Sequence, residues 1–307
     1  AWDGTAKTEP AKDADGVYQI GTASELAWFG ANGSNASAVL TADIDLAGYD
    51  WTPLNKFYGS FNGDGHTISG LYINSSSAND QGLFGCLDQG GTVKNLTVSG
   101  SVSGSDHVGG VVGLNFGTVT GCIFSGSGSV SGNNYVGGVV GDNRGTVENC
   151  YNTGNISGSG SYVGGVVGDN SGPVKNCHNT GTVTGTNDYV GGVVGANSSS
   201  VTNCYNTGDV KGNGYTVGGV VGSSNSSTVT DCYFLKTDDV NKDLQGIGSD
   251  EAIGATAESV NDLDALCKKF ASDPWSIHPV LGRPVLNENK EGGDGSPDSP
   301  YEISTAD

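Results

Sequence analysis

The chain has 307 residues, 33 acidic against 13 basic side chains and a formal charge of −20, so a polyanionic partner would be repelled rather than steered in, and nucleic acid and anionic membrane surfaces are set aside. Glycine is abundant at 53 residues and methionine absent, a composition of tight turns between short strands rather than of long helices. No run approaches the roughly 20 apolar residues of a membrane span and no signal peptide opens the chain, so it reads as a piece of a longer precursor.

In chain order, residues 1–15 read as a linker or tail and 16–288 as one module. Residues 22–29, with Thr22 as N-cap candidate ahead of Leu26 and Phe29, predict a capping helix. Residues 39–46 and 57–73 alternate apolar and polar side chains and are assigned to the first coils. Asp43, Asp45, Asp50 and Asp64 with His66 gather carboxylates near other polar chemistry there, as a glycosidase or lyase groove would, but only Lys56 is a nearby cation and one wet strand face explains the alternation.

From about 81 to 233 the chain repeats. Val108-Gly-Gly-Val-Val-Gly113 returns at Val136, Val163, Val190 and Val217, at steps of 28, 27, 27 and 27 residues. Each copy is followed by a polar turn and a strand ending at a cysteine, as Asn-Cys or Asp-Cys in the last four, and after the first four copies a third strand carries Val130, Ile156, Val183 and Val210. Short β-branched runs at a constant period mean that each repeat is one coil stacked on the next. Coils rise by ~4.8 Å, so five copies predict a rod section of roughly 20 Å.

Stacking turns repeated positions into columns. Cys122, Cys150, Cys177, Cys204 and Cys232 form one, with Leu96 a coil earlier; buried free thiols are the favoured reading and inter-coil disulfides the alternative. Val147 and Cys150 are three apart, so burying both requires a bend between them. The next column, Thr97, Ile123, Tyr151, His178, Tyr205 and Tyr233, then points outward; it predicts an aromatic ladder covering a sheet face or, less simply, a ligand platform of Tyr151, His178, Tyr205 and Tyr233. Asn115, Asn143, Asn170 and Asn197 read as turn amides accepting the left-handed conformation. No catalytic motif and no metal-binding spacing is present. No cofactor is expected, although the acidity is compatible with calcium.

A second helix is predicted over 259–270, with Leu263, Leu266, Cys267 and Phe270 on one face, followed by closing strands at Trp275 and Pro284; the C-terminal cap spans about 250–288. Residues 289–307 read as a linker and the start of a similar module, because residues 299–307 resemble 16–24.

The Tyr-Val-Gly-Gly-Val-Val-Gly pattern, its turn and the Val-x-Asn-Cys strand resemble the GLUG motif of bacterial surface proteins. Residues 18–26, 61–71 and 275–286 resemble what surrounds such repeats, so the likeness covers nearly the whole module. It implies an all-β, right-handed parallel β-helix with short capping helices, in exported adhesin-type proteins or non-catalytic regions of secreted proteases and carbohydrate-active enzymes. It supplies no catalytic residues. The expectation is a non-enzymatic structural or adhesive module, extracellular or surface-attached, with a host glycan, an extracellular protein or flanking modules as partners; the alternatives are a polysaccharide lyase or glycosidase, or a targeting region of a secreted enzyme.

Overall fold

The computed structural model describes residues 2–126, 128–225, 227–236, 241–250, 257–270, 274–277 and 283–286. Three parallel sheets of nine, eleven and thirteen strands run the length of the repeat region, with valine on valine in the ladders. In one coil, Thr146–Glu148 belongs to the nine-stranded sheet, Tyr151–Asn152 and Asn155–Gly158 to the thirteen-stranded sheet, and Val163–Gly164 and Val167–Asn170 to the eleven-stranded sheet. A coil cannot bury its apolar edge alone; stacking buries Val147, Cys150, Ile156, Val163 and Val167 almost completely, each valine contributing on the order of 2 kcal/mol. The chain is a parallel β-helix.

The bend required between Val147 and Cys150 falls on Asn149, which is left-handed at φ 57°. Asn176 and Asn203 repeat it at 54° and 56°, and Asn95, Gly121 and Asp231 hold the corner in the outer coils. These residue types tolerate a conformation that β-branched side chains resist. The glycine pair of the repeat has a steric reason: a Cβ on Gly137 would run into the Val140 carbonyl, and one on Gly138 into that of Gly165 in the next coil.

Asn115, Asn143, Asn170 and Asn197 are not left-handed, contrary to expectation. They form a buried ladder in which each Nδ2 donates to the next Oδ1 at 2.7, 2.8 and 2.9 Å, while the Oδ1 of Asn115 also accepts the Gly117 N–H at 2.9 Å. An amide carries both donor and acceptor, so a column of them satisfies itself at strand spacing. A second buried ladder joins Asn152, Asn179 and Asn206 at 2.8 and 2.9 Å, flanked in register by Phe124 and Phe234.

Both ends are closed. Helix α1 (Ala23–Asn32) is capped by Thr22, whose side chain accepts the Glu25 N–H, and it seats Leu26 and Phe29 over the first coils, Phe29 packing edge-on to Phe57. The presumed tail at 1–15 belongs to this cap within residues 2–15: Trp2 packs edge-on against Tyr49 and Trp51, and Lys12 bridges Tyr18 in antiparallel fashion. An indole placed against rings gains more from packing there than from a solvated tail. At the other end the helix is shorter than expected. Ala257–Val260 extends the thirteen-stranded sheet, Asp262 caps α2 (Leu263–Lys269), and Leu263 is exposed, while Leu266 and Phe270 are buried. Trp275–Ile277 and Pro284–Leu286 pair antiparallel as the closing strands. Residues 287–307, and with them the expected linker and the resemblance of 299–307 to 16–24, lie outside the described residues.

Candidate functional site

The predicted ligand platform is a ladder, as expected, but it is not free. Tyr151, His178 and Tyr205 stack at 4.5 and 4.7 Å between ring centroids, outside the coil interior. The C-terminal segment lies over them: Trp275 and Phe270 pack against Tyr205, Trp275 against His178, and the Tyr205 hydroxyl donates to the Pro284 carbonyl at 2.6 Å. His178 and Tyr205 are therefore buried, and only Tyr151 and Tyr233 keep partial exposure. The expectation of four presented rings is corrected for a packing reason: rings outside the coil formed the apolar face on which this chain's own cap docks, a second core separate from the coil interior. Among the described residues neither ring nitrogen of His178 has a hydrogen-bond partner; burial, then the nearby Arg283, holds the imidazole well below its usual pKa and neutral.

The cysteine column is buried and free of disulfides. Cys150, Cys177, Cys204 and Cys232 donate to carbonyls two residues earlier at 3.1 to 3.2 Å, which requires protonated thiols. Burial, reinforced by neighbouring column thiols, pushes Cys122, Cys177 and Cys232 well up. These thiols serve as small apolar groups.

Of the early-coil candidates, the structure brings together two. Asp43 accepts from His66 Nδ1 at 3.1 Å and from the Thr67 N–H at 2.9 Å; the backbone bond, then His66, holds its carboxyl below the usual range despite opposing desolvation. Asp45 bonds the Ala47 N–H and Asp64 sits left-handed in a turn bonded to Asn62, so neither joins that pair. Among the described residues, no group of three or more His, Cys, Asp or Glu side chains is arranged to hold a metal ion, and no helix is long and apolar enough to cross a membrane.

The repeat also carries a flank that its sequence motif did not single out. His107, Tyr135, Tyr162 and Tyr189 immediately precede the Val-Gly-Gly strands, all left-handed with φ between 54° and 69°. Their rings stack at 4.9, 4.8 and 4.9 Å and remain part exposed. Beside them run Leu114, Asp142, Asp169, Ala196 and Ser223, in register from coil to coil. Asp142 is buried; its Oδ2 takes Arg144 Nε and Nη2 at 3.1 and 2.9 Å and lies 3.8 Å from His107 Nε2, whose Nδ1 meets Asp80 at 2.7 Å. Arg144 also lies over the Phe116 ring. Asp169 is pushed up to about 6, first by burial and then by Asp142. The available signal was periodic: the residue before each Val-Gly-Gly is aromatic in four successive coils, and the one before the ladder asparagine is acidic in only two.

Comparison with known proteins follows from this repeat. Residues 132–157 and 186–211 each match the family described as the GLUG motif. The chain carries GLUG repeats. A stretch of 72 residues, 23% of the chain, is 44% identical to Halomucin of Haloquadratum walsbyi, and spans 1% of that protein. A match of 88 residues, 26% of the chain, is 39% identical to a protein named as a Gly-rich membrane protein from Evansella cellulosilytica, and spans 10% of it. The chain therefore covers a small fraction of the length of either relative. The fold is also shared with a solved structure named for an immunoglobulin A1 protease of Bacteroides ovatus, at TM-score 0.70 and 22% identity over 91% of this chain and 95% of that one; at that identity the likeness is one of fold alone.

Proposed function

We propose that this chain is a non-catalytic β-helix module of a large secreted or surface-attached protein, a stiff acidic rod that holds neighbouring modules apart and presents its flank to an extracellular glycan or protein. The observation that carries the reading is the constant register of the repeat coils from Val108 to Val221: valine, cysteine and asparagine columns lock each coil to the next, so a load or a contact on one is shared by its neighbours. The names of the two relatives, a mucin and a membrane protein, support a surface setting. The test is to display the chain on a bacterial surface with a distal epitope tag and compare antibody access with that of a variant lacking the three coils from Val136 to Thr216 and with that of the tag placed directly on the anchor. Access falling in that order is expected of a rod; equal access for the parent and the shortened chain contradicts the reading.

A further inference from the structure

The ladder flank contains chemistry that the repeat does not require. The column beside the tyrosines runs Leu114, Asp142, Asp169, Ala196, Ser223, and its acids, unlike the ladder asparagines, cannot satisfy one another by side-chain hydrogen bonds from coil to coil. Two consecutive coils place acids side by side. Asp142 has a side chain 2% exposed and lies beneath the surface; its Oδ2 takes Arg144 Nε and Nη2 at 3.1 and 2.9 Å and so fixes that guanidinium beside the strip. Asp169, on the adjacent strand and part exposed, has no ion pair within 4 Å and no side-chain donor among the described residues; the Asn170 backbone bonds it, and Arg144 and His107 favour its charge from farther off. A part-buried carboxylate with one donor is under-satisfied, and a ligand or an ordered water that donates to it is favoured.

We propose that this strip is a binding site for a neutral glycan chain lying along the rod axis, its hydroxyls, directly or through an ordered water, donating to Asp169 and accepting from Arg144, which Asp142 holds in place from beneath, with Tyr135 and Tyr162 as one wall. The inference rests on the reading of the chain as a presenting module and names its ligand class and place. Small residues at Ala196 and Ser223 keep the strip open beyond the acids. The tyrosine faces are taken by one another, at 4° and 16° between ring planes, so the ligand meets ring edges and hydroxyls rather than stacking on a face. A hydroxylated ligand fits because the site offers acceptors and donors together, Arg144 being half exposed at 51% of its side chain. An ammonium would meet that guanidinium, and a hard cation would find two carboxylates where six or more oxygens are wanted.

The experiment is a titration of the whole chain with neutral hexasaccharides of glucose, N-acetylglucosamine, galactose and mannose, with spermidine and calcium as separate arms. Binding of at least one hexasaccharide is expected, weakened about tenfold or more by Asp169→Ala and by Arg144→Ala and unchanged by His66→Ala on the remote early coils. Asp169→Ala removes a part-buried charge and should fold at least as well, which a melting curve checks. Failure of every hexasaccharide to bind, binding that neither flank variant weakens, or selective binding of calcium or spermidine would each overturn the proposal. Antibody access to a distal tag is independent of this result, so the spacer reading can survive its loss.

Discussion

Asp169 carries a stability cost that neighbouring coils avoid with Ala196 and Ser223. Its carboxyl is raised from 3.8 to about 6 in the folded chain, so the native state resists ionisation. Below about pH 4 both states hold the proton and there is no penalty; as pH rises through about 6 the penalty becomes complete, on the order of 3 kcal/mol. Urea unfolding should show Asp169→Asn more stable than the parent at pH 7.5 and close to it at pH 4; the same difference at both would contradict this account. His178 titrates in the opposite sense. Its folded pKa is depressed, so the stability it allows is present above about pH 6.5 and is lost as pH falls below that value, by at most about 1.4 kcal/mol per unit. His178→Phe should remove that loss, as read by unfolding midpoints between pH 7 and 5, and should not weaken the cap at neutral pH. The thiol column makes a simpler prediction. Iodoacetamide should leave Cys122, Cys150, Cys177, Cys204 and Cys232 unmodified in the folded chain and alkylate them in urea, since burial holds them away from reagent.

At the scale of the element, the strands and their stacking were legible because the period is constant and the valine and cysteine columns each repeat one residue type. The bend between Val147 and Cys150 could be deduced from counting, yet its owner, the left-handed Asn149, could be assigned only once backbone angles were known. The ladder asparagines were legible as a column but not as an interior one: asparagine has the same composition signal in a turn and in a buried amide stack, and only the 2.7 to 2.9 Å bonds separate the two. The outward aromatic column was read correctly in direction and wrongly in exposure, because what covers it comes from Phe270, Trp275 and Pro284, more than 60 positions later than Tyr205, in a segment without periodicity. The ligand strip was missed since neither the residue before Val-Gly-Gly nor the one before the asparagine is strictly repeated. Asn179→Ala should cost about 2–3 kcal/mol, because it cuts the buried ladder on both sides, leaving Asn152 Nδ2 with the Gly154 carbonyl and Asn206 Oδ1 with the Gly208 N–H, and removes the bonds of the Asn179 amide to Gly181. A thermal melt decides this, and a change under 0.5 kcal/mol would mean that the ladder is ornamental.

For the whole molecule, length follows coil count and thickness does not. Each coil contacts chiefly its neighbours, and the end caps are distinct units: α1 with Trp2 at one end, Ala257–Val260, α2 and the antiparallel pair at the other. Extra repeats inserted between Gly158 and Val163 should therefore join the stack without disturbing either cap. The most direct measurement is small-angle X-ray scattering of the parent and of a variant carrying four additional 27-residue repeats at that place. The account predicts an unchanged cross-sectional radius and a rod longer by roughly 19 Å, four rises of ~4.8 Å. A cross-section that grows with the insertion, at unchanged length, would contradict it.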